Sequence, residues 1–243
     1  MSDSAGQHGS EPVIYLFRHG ETAWSITGQH TGRTDLPLTT QGEQQVRALA
    51  AQLRGIVFDR VFTSPRLRAR RSCELCGLGP VARLEPDLAE WDYGAYEGLH
   101  SADIRVQRPD WNLFRDGCPA GESPTDISRR ADRLIARLRR QPGKVALFSH
   151  GHFGRVLGVR WIDLPVAHGR HLLLDTASIS ILGCAEHNPE QPAIVVWNCS
   201  ADLAGAPTRS PAGGTTGPDQ CRALQRWENE GGRFIADSIV RLR

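Results

Sequence analysis

Two apolar runs in this chain each end on histidine and glycine. Val13-Ile14-Tyr15-Leu16-Phe17 leads into Arg18-His19-Gly20, and Val145-Ala146-Leu147-Phe148-Ser149 leads into His150-Gly151-His152. Runs so rich in β-branched and aromatic residues make buried strands. Each strand therefore delivers a histidine to the turn at its carboxyl end, where open α/β sheets bind their ligands. At the first turn a guanidinium stands beside the imidazole, and glycine lets backbone come close. That combination suits phosphate. A lone Arg-His pair after a strand is a weak signal, so its meaning depends on what else the chain supplies.

The 243 residues suffice for one large α/β domain or two small ones. A formal net charge of +2 argues against a nucleic-acid binder driven by overall charge. Of 29 lysines and arginines only Lys144 is a lysine. Base composition accounts for most surface arginines, while a few are suited to bidentate phosphate contacts. The six cysteines are scattered and form no disulfide framework. Cys73 and Cys76 make a CxxC without a second ligand pair at zinc-site spacing, so thiols on a buried helix are expected. Residues 1–12 are small and polar, lack the apolar core of a signal peptide and are expected to be disordered. No run reaches the length of a membrane span, and a reducing cytoplasm is the expected location.

Residues 23–38 read as a loop carrying Trp24, Gln29, His30, Thr31 and Arg33. Thr40-Gln41-Gly42-Glu43 reads as a capping box opening a helix with Val46, Leu49, Ala50 and Leu53 on one face. A strand follows at Arg60–Thr63, then a helix over 65–77 with proline in its first turn. That helix carries Arg66, Arg68, Arg70 and Arg71. Arg66, just past the strand, is the one expected to point inward. Residues 81–84 make a short strand.

The stretch 87–98 alternates acidic and aromatic residues between glycines, including Glu90, Trp91, Asp92 and Tyr93. One of its carboxylates can serve as an acid. Alternatively the aromatics pack a lid and the carboxylates are solvated, and the stretch alone favours neither. Residues 99–121 read as a helical excursion. Ser123-Pro124 caps a long helix with Ile127, Ala131, Leu134, Ile135 and Leu138 on its core face and most of its arginines opposite. Beyond His150 a helix carries Phe153, Val156, Leu157 and Trp161. His171–Leu174, Ser178–Cys184 and Ala193–Trp197 read as strands. Residues 201–219 read as a linker, followed by two helices at 221–227 and 234–242.

Two strand-terminal histidines, two early arginines and an acidic aromatic loop stand in an order that resembles the histidine phosphatase superfamily, with its phosphoglycerate mutase-like fold. The resemblance rests on Arg18-His19-Gly20-Glu21-Thr22, Arg66 in Thr63-Ser64-Pro65-Arg66, Glu90 before the glycine-rich loop, and His150-Gly151-His152. It covers about 13–198. It implies that His19 is the nucleophile and forms a phosphohistidine, while Arg18, Arg66 and His150 line the phosphate pocket. Glu90 would protonate the leaving alkoxide and later act as base for water. The physics agrees: a neutral imidazole attacks phosphorus in line while guanidinium and imidazole N–H groups hold the equatorial oxygens. Phosphoryl transfer asks mainly for position and charge stabilisation, so neither metal nor cofactor is expected.

Two departures set the chain apart from cofactor-dependent phosphoglycerate mutases. Ser25 stands where they carry asparagine, and the spacing between Glu90 and His150 is too short for their long basic insertion. Arg105, Arg108 and Arg115 lie in that interval without the mutases' paired-arginine clamp. Both departures favour hydrolysis. Thr22–Ser25, Gly28–Leu38, Phe62–Arg70, Glu90–Gly98, Trp111–Cys118 and His150–Arg155 are similar to the sedoheptulose-1,7-bisphosphatase-like branch. The same pattern occurs in broad-specificity acid phosphatases of the superfamily, and His30 stands where the sugar-bisphosphatase loop carries an aromatic residue. By this similarity His30, Thr31, Trp91, Asp92, Tyr93, Gly151 and Arg155 hold the substrate, Arg155 as a cation for a second phosphate.

The expectation is a three-layer α/β/α phosphoglycerate mutase-like fold, with a mixed, mostly parallel sheet of about six strands and a helical cap excursion. Its domains would be a disordered 1–12, a histidine phosphatase domain over 13–200, and a linker and tail of unassigned role over 201–243. The expected function is a metal-independent phosphomonoesterase acting on a phosphorylated sugar, such as sedoheptulose or fructose bisphosphate, or a similar small metabolite. The alternatives are a phosphoglycerate mutase and a non-catalytic phosphometabolite-binding protein. The expected partner is a small phosphorylated metabolite, not nucleic acid or membrane. Homo-oligomerisation is left open.

Overall fold

In the computed structural model, which describes residues 12–200, six strands share one sheet. They are β1 (Val13–Arg18), β2 (Arg60–Thr63), β3 (Ala82–Leu84), β4 (Lys144–Ser149), β5 (Ser178–Ala185) and β6 (Asn188–Ser200). Their order is β3–β2–β4–β1–β5–β6. The pairs β1–β4, β4–β2 and β2–β3 are parallel, and β1–β5 and β5–β6 antiparallel. The sheet is thus mixed and mostly parallel, as expected. The readings for residues 1–11 and 201–243 lie outside the described residues.

The unbroken apolar runs of β1 and β4 follow from burial on both faces. Ile14, Leu16, Val145 and Leu147 enter one core, and Tyr15, Phe17, Ala146 and Phe148 the other. Helices α2 (Thr40–Gln52) and α3 (Leu67–Leu75) cover the Tyr15 side through Leu49 and Cys73. Helices α6 (Pro124–Leu138) and α7 (Gly151–Trp161) cover the Ile14 side. All five residues expected on the inner face of α6 are buried, as are Phe153, Val156, Leu157 and Trp161 of α7. Each buried Leu, Ile or Phe contributes about 1.5–3 kcal/mol relative to exposure. The excursion before α6 contains α4 (Ser101–Gln107) and α5 (Leu113–Asp116), and packs Trp111, Leu113 and Phe114 onto the same core. No helix among the described residues is long and apolar enough to cross a membrane.

Several boundaries differ from expectation for identifiable reasons. The cap of α2 is Thr39, whose hydroxyl accepts the Gly42 N–H at 2.9 Å. Thr39 is fixed by Glu21, donating its N–H to that residue's carbonyl and its hydroxyl to Oε1. This leaves Glu43 to pair with Arg71 at 2.8 Å. Helix α3 begins at Leu67 with Arg66 as its cap, since Asp35 accepts the Leu67 N–H and Pro65 stays in the preceding turn. Ala23–Thr27 forms a short helix, α1, inside the segment read as loop. The segment His171–Leu174 is not a strand. A 3-10 helix runs over Val166–His171, and the carbonyls of Leu173 and Leu174 accept from Trp197 and Arg18 side chains rather than from a neighbouring strand.

Candidate active site

The site is set by strand register. Parallel pairing of β1 with β4 aligns Arg18 with Ser149, so the next residue of each strand, His19 and His150, emerges beside the other. Their ring centroids lie 5.2 Å apart. Strand β2 pairs Thr63 with Phe148, which brings Ser64 to the same edge, with its hydroxyl 2.7 Å from His150 Nε2.

His19 Nδ1 is 2.7 Å from the carbonyl oxygen of Gly20. A carbonyl only accepts, so Nδ1 carries the proton and Nε2 keeps its lone pair. Nε2 makes no hydrogen bond among the described residues, and His19 lines a cleft of about 200 Å³. Burial, then the charges of Arg68 and Arg18, hold the imidazole well below its ordinary value of 6.5. His19 is therefore neutral and carries its free lone pair on Nε2. Its carbonyl accepts the N–H of Ala177, a residue held at φ 51°. A Cβ on Gly20 would stand 2.5 Å from the Gly42 carbonyl oxygen and 2.8 Å from Val46 Cγ2. The Arg-His-Gly turn can press onto α2 only with glycine at this position.

Around the two histidines the charge is positive. Arg18, Arg66 and Arg68 each keep a buried Nε without a hydrogen-bond partner among the described residues, and so does His150 Nδ1. Buried donors without acceptors are costly, and guanidinium N–H groups are the donors that phosphoryl oxygens satisfy best. Arg68 and Arg18 act electrostatically on His19, and Arg68 and Arg66 on His150, whose imidazole burial also depresses well below 6.5. A Cβ on Gly151 would sit 3.2 Å from Arg18 Cζ, so the small residue there leaves room for the guanidinium.

The arginine that α3 turns fully inward is Arg68, whereas Arg66 is half-buried at the helix cap. Because the helix starts at Leu67, its buried face is Arg68, Ala69, Ser72 and Cys73. Arg68 donates to the carbonyls of Thr31, Gly32 and Thr34 at 2.8–3.2 Å. From the other side Glu97 accepts the N–H groups of Gly32 and Thr34 at 2.9–3.0 Å. The loop that bears Thr31 is thus clamped by one cation and one anion. The small residues Ala69 and Ser72, one and four positions after Arg68, were the available signal for this inward face.

Glu90 is 8% exposed and lines the same cleft as His19. Its Oε1 accepts the N–H groups of Trp91 and Phe153 at 2.8 Å, and its Oε2 that of His152 at 3.0 Å. The carboxylate therefore caps the first turn of α7, where a negative group is favoured. Its backbone is held in turn by Arg130, an α6 arginine that is buried rather than on the outer face. Arg130 donates to the carbonyls of Asp87, Ala89 and Glu90, and makes a two-pronged ion pair with Glu122 at 2.8 Å.

The residues expected to hold substrate divide into two groups. His30, Thr31 and Tyr93 line the cleft, joined by Trp24, Ser25, Gln29, Ser101 and His152. His30 stacks on Tyr93 with centroids 4.7 Å apart, and burial lowers its imidazole to about 4. Trp91 and Asp92 do not reach the cleft. Trp91 is fully buried against Phe114, with its indole N–H on the Glu122 carbonyl, and Asp92 pairs with Arg33 at 2.6 Å. Arg155 is outside the cleft lining, with its guanidinium 4.5 Å over Phe114 and its Nε on the Gly169 carbonyl at 2.9 Å. A second groove of about 520 Å³, between α3 and β3, is lined by none of the candidate residues. Cys73 lines that groove, and it and Cys76 are free thiols, both pushed up to about 12 by burial, which suits inert packing groups.

Two neutral imidazoles at adjacent strand ends, three guanidiniums with buried Nε atoms around them and a carboxylate on the cleft that His19 lines match a wider pattern. The sequence profile of the histidine phosphatase superfamily (branch 1) matches residues 14–200. The chain belongs to this superfamily. It is 46% identical over 187 residues to an acid phosphatase of Mycobacterium tuberculosis, covering 75% of this chain and 91% of the relative. It is 33% identical to the sedoheptulose 1,7-bisphosphatase of Saccharomyces cerevisiae, again covering 75% and 91%. A solved structure of a Mycobacterium tuberculosis open reading frame superimposes with a TM-score of 0.74 at 39% identity, over 78% of this chain and 98% of that one. Superfamily membership and these relatives make the chain a phosphatase acting on phosphorylated substrates.

Proposed function

We propose that this histidine phosphatase is a phosphomonoesterase that works through a phosphohistidine on His19. Its substrate would be a phosphorylated sugar, such as a sedoheptulose or fructose bisphosphate, or a small metabolite of that kind. The observation that carries the reading is the Nδ1–H bond of His19 to Gly20, which leaves an unprotonated Nε2 facing the cleft beside buried guanidiniums. In the first step Nε2 bonds to phosphorus and the ester P–O bond breaks. The departing alkoxide takes a proton from Glu90. In the second, water gives a proton to Glu90 and attacks phosphorus, and the N–P bond breaks to release phosphate. The guanidiniums and His150 hold the equatorial oxygens throughout. Oε2 of Glu90 accepts a single N–H and so has a site left for the proton.

Replacing His19 by alanine is expected to lower turnover by at least about 10⁴-fold and to abolish acid-labile labelling by a radioactive phosphate ester. Full activity in that variant would overturn the assignment. Phosphoryl return to product, rather than to water, is tested by supplying 3-phosphoglycerate. Isomerisation faster than phosphate release would replace hydrolysis by mutase chemistry.

A further inference from the structure

We infer that His152 forms a subsite for the leaving group of polyhydroxy-alcohol phosphates, donating its Nε2–H to a substrate hydroxyl next to the ester oxygen. This rests on the phosphatase reading of His19 and names the substrate class that fits the rest of the cleft. His152 lines the cleft together with His19 and Glu90. Its backbone N–H is bound to Oε2 of Glu90 at 3.0 Å, so the imidazole belongs to the residue that touches the proposed proton donor.

The tautomer of His152 follows from hydrogen-bond accounting. Its Nδ1 lies 2.6 Å from the hydroxyl of Tyr93. Tyr93 is 1% exposed, and its hydroxyl has no other partner among the described residues. A buried phenol proton needs an acceptor, so the hydroxyl donates to Nδ1 and the imidazole proton resides on Nε2. Nε2 itself makes no hydrogen bond to the described residues.

The hydroxyl and amide side chains lining the cleft are already engaged. Ser25 donates to the Thr22 carbonyl at 2.9 Å, Gln29 to the Gly98 carbonyl at 2.9 Å, and Thr31 to the Gln29 carbonyl at 3.2 Å. Ser101 is bonded to His30 Nε2 at 3.2 Å. Among the residues lining the cleft none is arginine or lysine, and burial keeps His30 and His152 neutral. Beyond Glu90 the cleft wall is therefore uncharged, with the rings of Trp24 and His30 lining it beside the His152 N–H. That is a surface for a neutral hydroxylated chain rather than for a carboxylate or an amine.

The test measures kcat and KM of the full chain on a hexose monophosphate and on phenyl phosphate, which has no neighbouring hydroxyl. For His152→Phe, kcat/KM on the hexose phosphate is expected to fall about 30-fold or more, mainly through KM, and on phenyl phosphate about 3-fold or less. His152→Asn, which restores an N–H donor, should recover part of the difference. Tyr93→Phe removes the positioning residue and should give a smaller loss with the same substrate split. Melting temperatures identify any variant that fails to fold, and the asparagine variant then decides. Equal losses on both substrates, or an unchanged KM for the hexose phosphate, would overturn the subsite and leave the His19 assignment standing. A wild-type chain that hydrolyses neither substrate would overturn both.

Discussion

Oε1 of Glu90 receives the backbone N–H of Phe153 at 2.8 Å, so the proposed proton donor is also what begins helix α7. The two jobs are linked through His150 and His152, which that helix start positions. A substitution at Glu90 therefore acts on stability and chemistry together, and a loss of activity by itself would not separate them.

Glu90→Gln offers one acceptor where three N–H groups converge, and turns an amide against the others. Unfolding free energy is expected to drop by roughly 1–3 kcal/mol. The rate on alkyl phosphates should fall about 10²–10⁴-fold, with a much smaller loss on an aryl phosphate whose leaving group needs no proton. Denaturant titration and parallel kinetics on the two ester types check this. Equal kinetic losses would leave Glu90 as a helix cap alone.

Arg68 and Arg66 should respond unequally. Arg68→Gln removes a buried cation from beside both histidines and frees three loop carbonyls, so kcat/KM is expected to fall at least about 10³-fold. Amide exchange over 31–34 should speed up at the same time. Arg66→Gln should cost nearer 10-fold and leave those amides protected. A reversed ranking would make Arg66 the main cation of the phosphate pocket.

The parts that sequence made legible were those governed by local pattern. Apolar runs announced β1 and β4, and their register alone brings His19 against His150. Ser123, Pro124 and the spacing from Ile127 to Leu138 announced α6 in full. What was not legible depended on partners distant in sequence. Thr39 rather than Thr40 caps α2 because Glu21 holds it. Arg68 is buried more deeply than Arg66 because α3 begins only at Leu67, whose N–H Asp35 accepts. The acidic aromatic stretch looked like one device, yet its members separate: Glu90 caps a helix, Glu97 clamps a loop, Trp91 packs the core and Tyr93 orients His152. No periodicity distributes roles in this way; only the packed chain does.

The sequence points to Arg155 as the cation for a second phosphate. Its guanidinium rests on Phe114 and is tied through Nε to Gly169, and burial lowers it to about 10, so it stays charged at neutral pH. If it receives the far phosphate of a bisphosphate, Arg155→Ala should raise KM for a sugar bisphosphate about 10-fold more than for the matching monophosphate. Michaelis constants for such a pair of substrates measure this directly. A parallel rise for both would make Arg155 a packing residue.

Acid should weaken the fold before it silences the proposed nucleophile. His30 titrates near 4 in the folded chain against 6.5 ordinarily, with burial the main cause. Between these values the unfolded chain binds a proton that the folded chain does not. Stability from this group is therefore fully present above pH 6.5 and declines as pH falls toward 4, by on the order of 3 kcal/mol. His19, His150 and His152 are depressed in the same direction and deepen the decline. Denaturation midpoints should drop from pH 7 to pH 4.5, and less steeply in His30→Gln. Over the range in which the protein stays folded, the rate of His19 phosphorylation by an aryl phosphate should not fall as pH passes below 6.5, because its imidazole remains neutral. A single-proton loss of rate centred on 6.5 would mean that His19 titrates like an exposed imidazole, contrary to its burial between Arg18 and Arg68.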